Sequence, residues 1–206
     1  LHDALPILEK YRSIMEKMIS ARTIDFQPDD ETGIPKVYDG QKVIIGGMIT
    51  EKTIKYTRSN KVMAFLTVED LMGTVEIVVF PRDYEKWQTL INEDARVFIQ
   101  GRVNAEDDKP SKLILEKVRA FDDIPREIWV QFKDREDYAQ KEQELLNYLR
   151  GSVGTSAVVI YLKDVKAIKR LPAGYHVQIS DFLLEELKKK YGDSNVKVVE
   201  RVLKNF

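Results

Sequence analysis

Carboxylates are the first groups to weigh, because phosphoryl-transfer sites clamp metal ions between acids gathered on neighbouring strands. Adjacent acids occur at Asp29-Asp30, Asp107-Asp108 and Asp122-Asp123. All three pairs fall in turn-forming or linking stretches, where aspartate ordinarily serves the backbone and stays solvated. The sequence has no cysteine and only two histidines, His2 and His176, which excludes thiolate sites and an imidazole cluster. It also lacks a phosphate-cradling glycine loop, a nucleophile elbow and a His-Glu metal helix. No catalytic residue, cofactor site or metal site is therefore expected.

Cations interleaved with aromatic side chains offer a different chemistry. Between Lys42 and Lys61 the chain carries Lys42, Lys52, Lys55, Arg58 and Lys61 against one acid, Glu51, with Tyr56 among them. Cationic side chains neutralise phosphates and release counterions, and aromatic faces stack on unpaired bases. The plainer reading of the same lysines is a solvated strand face. In Phe65-Leu66-Thr67-Val68-Glu69, strand alternation puts Leu66 and Val68 on one face and Phe65 on the other, with Thr67 and Glu69. An aromatic on the polar side is what a stacking platform needs, although packing beneath a loop or the N-terminal helix would also place it there. Arg82, Arg102, Lys109 and Lys112 could extend such a groove.

These residues must be held by a framework, and the apolar periodicity describes one. Leu8, Tyr11, Met15, Met18 and Ile19 recur at three- and four-residue spacing and predict an amphipathic helix from Ile7 to about Ser20. Asp25 to Lys36 is rich in proline, glycine and aspartate and reads as a linker. Strands are expected at 43–57, 62–69, 74–80, 96–104 and 112–121, with a bend or bulge at Gly46-Gly47 and a short helix at 83–90. Five strands with a helix between the third and fourth is the order of an OB-fold barrel, whose second and third strands and adjoining loops commonly bind oligonucleotides. After Asp122-Asp123-Ile124-Pro125 the order becomes β-α-β-β-α-β: strands at 128–132, 157–162, 167–171 and 196–199, and helices at 135–150 and 181–191. This predicts a smaller α+β domain, a ferredoxin-like arrangement being one way to fold that order. The expected division is an N-terminal helix (1–24), a linker (25–40), the barrel (41–123) and the α+β domain (124–206).

A chain of 206 residues supports two cores, and 43% hydrophobic with 33% charged residues describes a globular protein. No apolar run is long enough to span a membrane. The missing cysteines fit a reducing, cytoplasmic setting, and a start at Leu1 without signal-peptide features reads as a fragment. A net charge of -1 means that any nucleic-acid surface must be local.

The run from Lys61 through Val62-Met63-Ala64-Phe65-Leu66-Thr67-Val68-Glu69-Asp70-Leu71-Met72-Gly73 to Thr74-Val75-Glu76-Ile77-Val78-Val79-Phe80-Pro81, followed by Tyr84-Glu85, resembles the OB domain of the bacterial DNA polymerase III alpha subunit of the DnaE type. Upstream, Pro6 and Leu8-Glu9-Lys10-Tyr11 resemble the helix preceding that domain, although His2-Asp3-Ala4-Leu5 departs from the family pattern. Downstream, Trp129-Val130-Gln131-Phe132 and Leu171-Pro172-Ala173-Gly174-Tyr175-His176-Val177 resemble the family's extreme C-terminal domain. The resemblance implies a non-catalytic C-terminal part of a replicative polymerase. Its barrel would contact single-stranded template DNA, and its last domain would bind the clamp-loader tau subunit. The remainder of the alpha subunit, with the polymerase active site and the internal clamp-binding motif, would lie N-terminal to this chain. Gln143-Glu144-Leu145-Leu146 is similar to a clamp-binding peptide, but its leucines fit the buried face of a helix better. Two other classes remain. One is an RNA-reading OB module of the anticodon-binding kind, suggested by the Phe-x-x-x-x-Asp run from Phe65 to Asp70; the other is a protein-interaction scaffold.

Overall fold

A computed structural model describes residues 8–9, 11–106 and 109–201. His2, the departure at residues 2–5, Lys10, the Asp107-Asp108 pair and residues 202–206 lie outside the described residues. The described chain divides into two units, one running to Asp123 and the other from Ile124 to Arg201.

In the first unit, β1 (Lys42–Tyr56), β2 (Val62–Glu69), β3 (Thr74–Val79), β4 (Arg96–Asn104) and β5 (Lys112–Ala120) close a barrel in the order β1-β2-β3-β5-β4. All ladders are antiparallel except the short parallel one that joins β3 to β5 and completes closure. Every second residue points inward. Ile45, Leu66, Ile77, Ile99 and Leu113 are fully buried, and closure leaves no sheet edge open to pairing. The glycine pair in β1 serves close approach more than bending: a Cβ on Gly47 would strike the carbonyl oxygen of Glu69 on β2. The register shift itself falls later, between Ile49 and Glu51.

Two elements beside the barrel differ from the sequence reading. Helix α2 spans Pro81–Trp87 and begins before the expected Asp83, because proline's fixed φ and missing N–H suit the first helical position. The stretch read as a linker is fastened to the barrel. Phe26, in a 3-10 turn at Thr23–Phe26, and Val37 are buried in the barrel core, and the Phe26 carbonyl accepts from the Ser111 N–H at 2.9 Å. Ahead of it, α1 (Arg12–Met18) buries Ile14, Met15 and Met18.

The second unit is a four-stranded sheet in the order β8-β7-β6-β9, from β6 (Arg126–Phe132), β7 (Ala157–Leu162), β8 (Ala167–Arg170) and β9 (Val196–Glu200). Its helices are α3 (Arg135–Leu149), capped by Asp134, and α4 (Asp181–Tyr191), capped by Ser180. The arrangement is not ferredoxin-like. β6 and β7 are adjacent and parallel, joined directly through α3, with no strand inserted between them. The two most apolar strands thereby take the centre, while short β8 and lysine-bearing β9 take the edges. Leu145 and Leu149 are buried in the core, so the run at 143–146 is a helix face packed on the sheet.

Candidate nucleic-acid interface

The outer surface of the barrel is set by strand register. Phe65 on β2 stands opposite Val78 on β3. Val78 stands beside Ile114 on β5, Ile114 opposite Arg102 on β4, and Arg102 opposite Lys42 on β1. The same alternation that sends Leu66, Ile77 and Leu113 inward sends these five outward. They form a belt across the strands: one aromatic, two half-buried aliphatics and two cations. Adjacent strands are about 4.8 Å apart, so Phe65 and Arg102 are separated by roughly 14 Å.

The aromatic end carries its own charge. The Lys55 ammonium lies 4.8 Å from the Phe65 ring centroid, where the ring's negative face attracts it. Phe80 continues the outward alternation of Glu76 and Val78 and is 45% exposed, the largest solvent-facing apolar side chain on this side of β3. At the cationic end, Lys42 and Arg102 share one carboxylate, Glu116, at 3.2 and 3.4 Å. Two positive groups against one negative leave net positive charge there.

The loop joining β1 to β2 is held in shape. The Thr57 N–H donates to the Lys61 carbonyl at 2.8 Å, the Lys61 N–H donates to the Thr57 hydroxyl at 3.1 Å, and Asn60 takes a positive φ of 57°. Arg58 and Lys61 project from it fully exposed, and neither has an ion-pair partner among the described residues.

Of the residues singled out from the sequence, Lys55, Phe65, Arg102 and Lys112 share the outer surface, with Arg58 and Lys61 at the loop beyond it. Lys112 is paired with Glu76 at 2.6 Å; both are solvent-accessible, so the bond is worth about 1 kcal/mol or less and leaves the cation available. Lys109, in the β4–β5 loop, donates to Glu106 at 2.7 Å, and this hydrogen bond raises the lysine pKa and lowers that of the glutamate. Arg82 is exposed in the first turn of α2, two residues past Phe80. Lys52 and Tyr56 fall on the opposite face of the β1–β2 ribbon from Phe65, because they alternate with Lys55. Lys52 is engaged there: its ammonium donates to Asn92 at 3.2 Å and lies 5.5 Å from the Tyr84 ring centroid. Tyr56 is exposed on that same face.

The acids have structural work. Asp29 accepts from the Glu31 and Thr32 N–H groups, and those backbone bonds hold its pKa below the ordinary value. Asp122 accepts from the Tyr11 hydroxyl at 3.0 Å and from Arg96 at 3.3 Å. Asp70 is buried and ties the β2–β3 turn to Thr23, 47 residues earlier. Among the described residues no three acids or histidines come together as a metal-holding group.

Residues 43–120 match the family described as tRNA_anti-codon, OB-fold nucleic acid binding domain. The DNA polymerase III subunit alpha of Halalkalibacterium halodurans is 30% identical over 161 residues, covering 76% of this chain and 14% of the relative. That of Escherichia coli K12 is 23% identical over 205 residues, covering 94% of this chain and 17% of the relative. The chain is a relative of part of the bacterial DNA polymerase III alpha subunit. It spans 13% to 17% of the length of the curated alpha subunits it matches. Among solved structures, the SSB domain of a Synechococcus protein is similar at 16% identity and a TM-score of 0.35, over 40% of this chain and 97% of that one. In this polymerase relative the sequence reading missed Phe80, Val78 and Ile114. The signal for Phe80 and Val78 was present in the alternation of β3, which puts Thr74, Glu76, Val78 and Phe80 on one face; Ile114 joins them only through the parallel β3–β5 ladder, which no local pattern announces.

Among the described residues no helix is long and apolar enough to cross a membrane.

Proposed function

We propose that the barrel holds single-stranded template DNA for a replicative polymerase, and that the second unit docks the chain to the clamp-loader tau subunit. The observation that carries the first part is the belt from Phe65 through Val78 and Ile114 to Arg102 and Lys42. A strand laid across it meets stacking surface first, then aliphatic surface, then cations, with Lys55, Arg58 and Lys61 along the approach. Stacking and charge neutralisation read no base edge, so binding is sequence-tolerant and salt-sensitive. The second part rests on the kinship with alpha subunits and on the resemblance of residues 129–132 and 171–177 to the family's last domain.

Fluorescence anisotropy with labelled oligothymidine tests the barrel reading. Replacing Lys55, Arg58 and Lys61 by alanine lowers affinity about equally for all sequences and reduces the slope of log affinity against log salt by about 3. Unchanged binding in low salt refutes this assignment. Competition with RNA of the same sequence separates the anticodon-type alternative: an RNA preference that depends on the 2′-hydroxyl would favour that alternative. Capture of the full chain on immobilised tau tests the docking role, and failure to bind removes it.

A further inference from the structure

The sheet of the second unit is packed on one face only by its helices. Leu145 and Leu149 of α3 and Leu183 and Leu187 of α4 join one core with Ile128 and Ile160, so both helices lie on the same side. Strand alternation turns Trp129 and Tyr161 to the other side, one on each central strand, with ring centroids 6.3 Å apart and both rings partly exposed. Ile168, opposite Tyr161 on β8, is 55% exposed on the same face.

Charge on this face is arranged around the aromatic pair. Glu127 is the one carboxylate that alternation within the four strands places there, and it is neutralised in place. It accepts from the Trp129 indole N–H at 3.0 Å and from the Arg170 guanidinium. Burial alone would raise its pKa, but the bonds from Arg170 and Trp129 outweigh that, with a further contribution from the charge of Arg201, and hold it below the ordinary value. The bond from Glu127 also fixes the indole plane. Lys197, opposite Trp129 on β9, is exposed and has no ion-pair partner among the described residues, and Arg201 continues the same alternation.

We propose that this face is a second single-strand platform, on which unpaired bases stack on Trp129 and Tyr161 while Lys197 and Arg201 neutralise the flanking phosphates. Adjacent aromatics on the central strands of a four-stranded sheet, backed by helices on the far side, are how such sheets hold unpaired bases. A protein-docking face would instead be depleted of charge at its centre, whereas here cations adjoin the aromatic pair and the only acid is neutralised.

The chain has two tryptophans, so Trp87→Phe in the full chain leaves Trp129 as the sole indole reporter. Titration with oligothymidine in low salt quenches its emission. The double change Lys197→Glu with Arg201→Glu raises the half-saturating concentration about tenfold or more and reduces the salt slope by about 2. Tyr161→Ala weakens this binding by about tenfold and Tyr161→Phe restores it, which separates loss of stacking from loss of folding. Absence of any Trp129 response at oligonucleotide concentrations that saturate the barrel overturns the proposal. So does quenching that charge reversal leaves unchanged, or a response to tau with none to nucleic acid.

Discussion

Asp70 ends the Phe-x-x-x-x-Asp run that suggested base reading, and its surroundings assign it to folding. Its Oδ1 accepts from the Thr23 hydroxyl at 2.6 Å, the Met72 N–H at 2.7 Å and the Gly73 N–H at 3.1 Å, and its Oδ2 accepts from the Thr23 N–H at 2.9 Å. Asp70→Ala strands both buried Thr23 donors, at about 1–3 kcal/mol each. The turn N–H groups of Met72 and Gly73 are less buried and regain water, at about 0.5 kcal/mol each. The sum is about 5 kcal/mol, or a fall in Tm of roughly 15–20 °C for a unit of this size. Asp70→Asn keeps the three bonds to Oδ1 and sets an amide against the Thr23 N–H, for about 2 kcal/mol. Thermal melts followed by circular dichroism measure both, and oligothymidine affinity is then read at a temperature where each variant is folded. Affinity equal to that of the unaltered chain is expected, since Asp70 is 4% exposed. A folded Asp70→Asn chain that loses affinity, or an Asp70→Ala chain as stable as the parent, refutes the reasoning.

Gly47→Ala forces a Cβ against the Glu69 carbonyl and, at 2.8 Å, the Val68 side chain, so it costs about 3 kcal/mol in denaturant unfolding, whereas Gly174→Ala, with nothing within 4 Å, changes stability by less than about 0.5 kcal/mol. Phe26→Ala, removing a fully buried ring from the barrel core, lowers stability by about 3–5 kcal/mol despite lying in a turn-rich stretch, as chemical denaturation will show. Because the folded pKa of Glu127 lies below its ordinary value of 4.5, its bonds stabilise the second unit above about pH 4.5, and that contribution is lost as pH falls through the depressed folded pKa. The Tm difference between the chain and Glu127→Gln is therefore present at neutral pH and shrinks as the medium is acidified below the ordinary carboxylate range.

Local signals located most elements. Alternation fixed the ends of β2 and β4, and Ser180 with Gly192 bracketed α4, because caps and two-residue periods are encoded within a few neighbours. Contacts distant in sequence were not legible. The burial of Phe26 and Val37 depends on a barrel that closes around them, and nothing near Asp70 announces Thr23 as its partner. The cationic stretch shows the same limit. Lys52 and Lys55 look equivalent in sequence, but a three-residue separation on a strand puts them on opposite faces, one toward Tyr84 and one toward Phe65. The belt from Phe65 to Lys42 needs four successive registers, including the parallel β3–β5 ladder, and only the assembled barrel provides them.

Photo-crosslinking maps the claimed surface without relying on any variant. Oligothymidine carrying 5-bromodeoxyuridine, irradiated on the full chain and digested for mass spectrometry, is expected to leave barrel adducts in the peptides containing Phe65 and Phe80. Barrel adducts confined to the Tyr56 and Tyr84 side of the β1–β2 ribbon, or none in the barrel, would contradict the account.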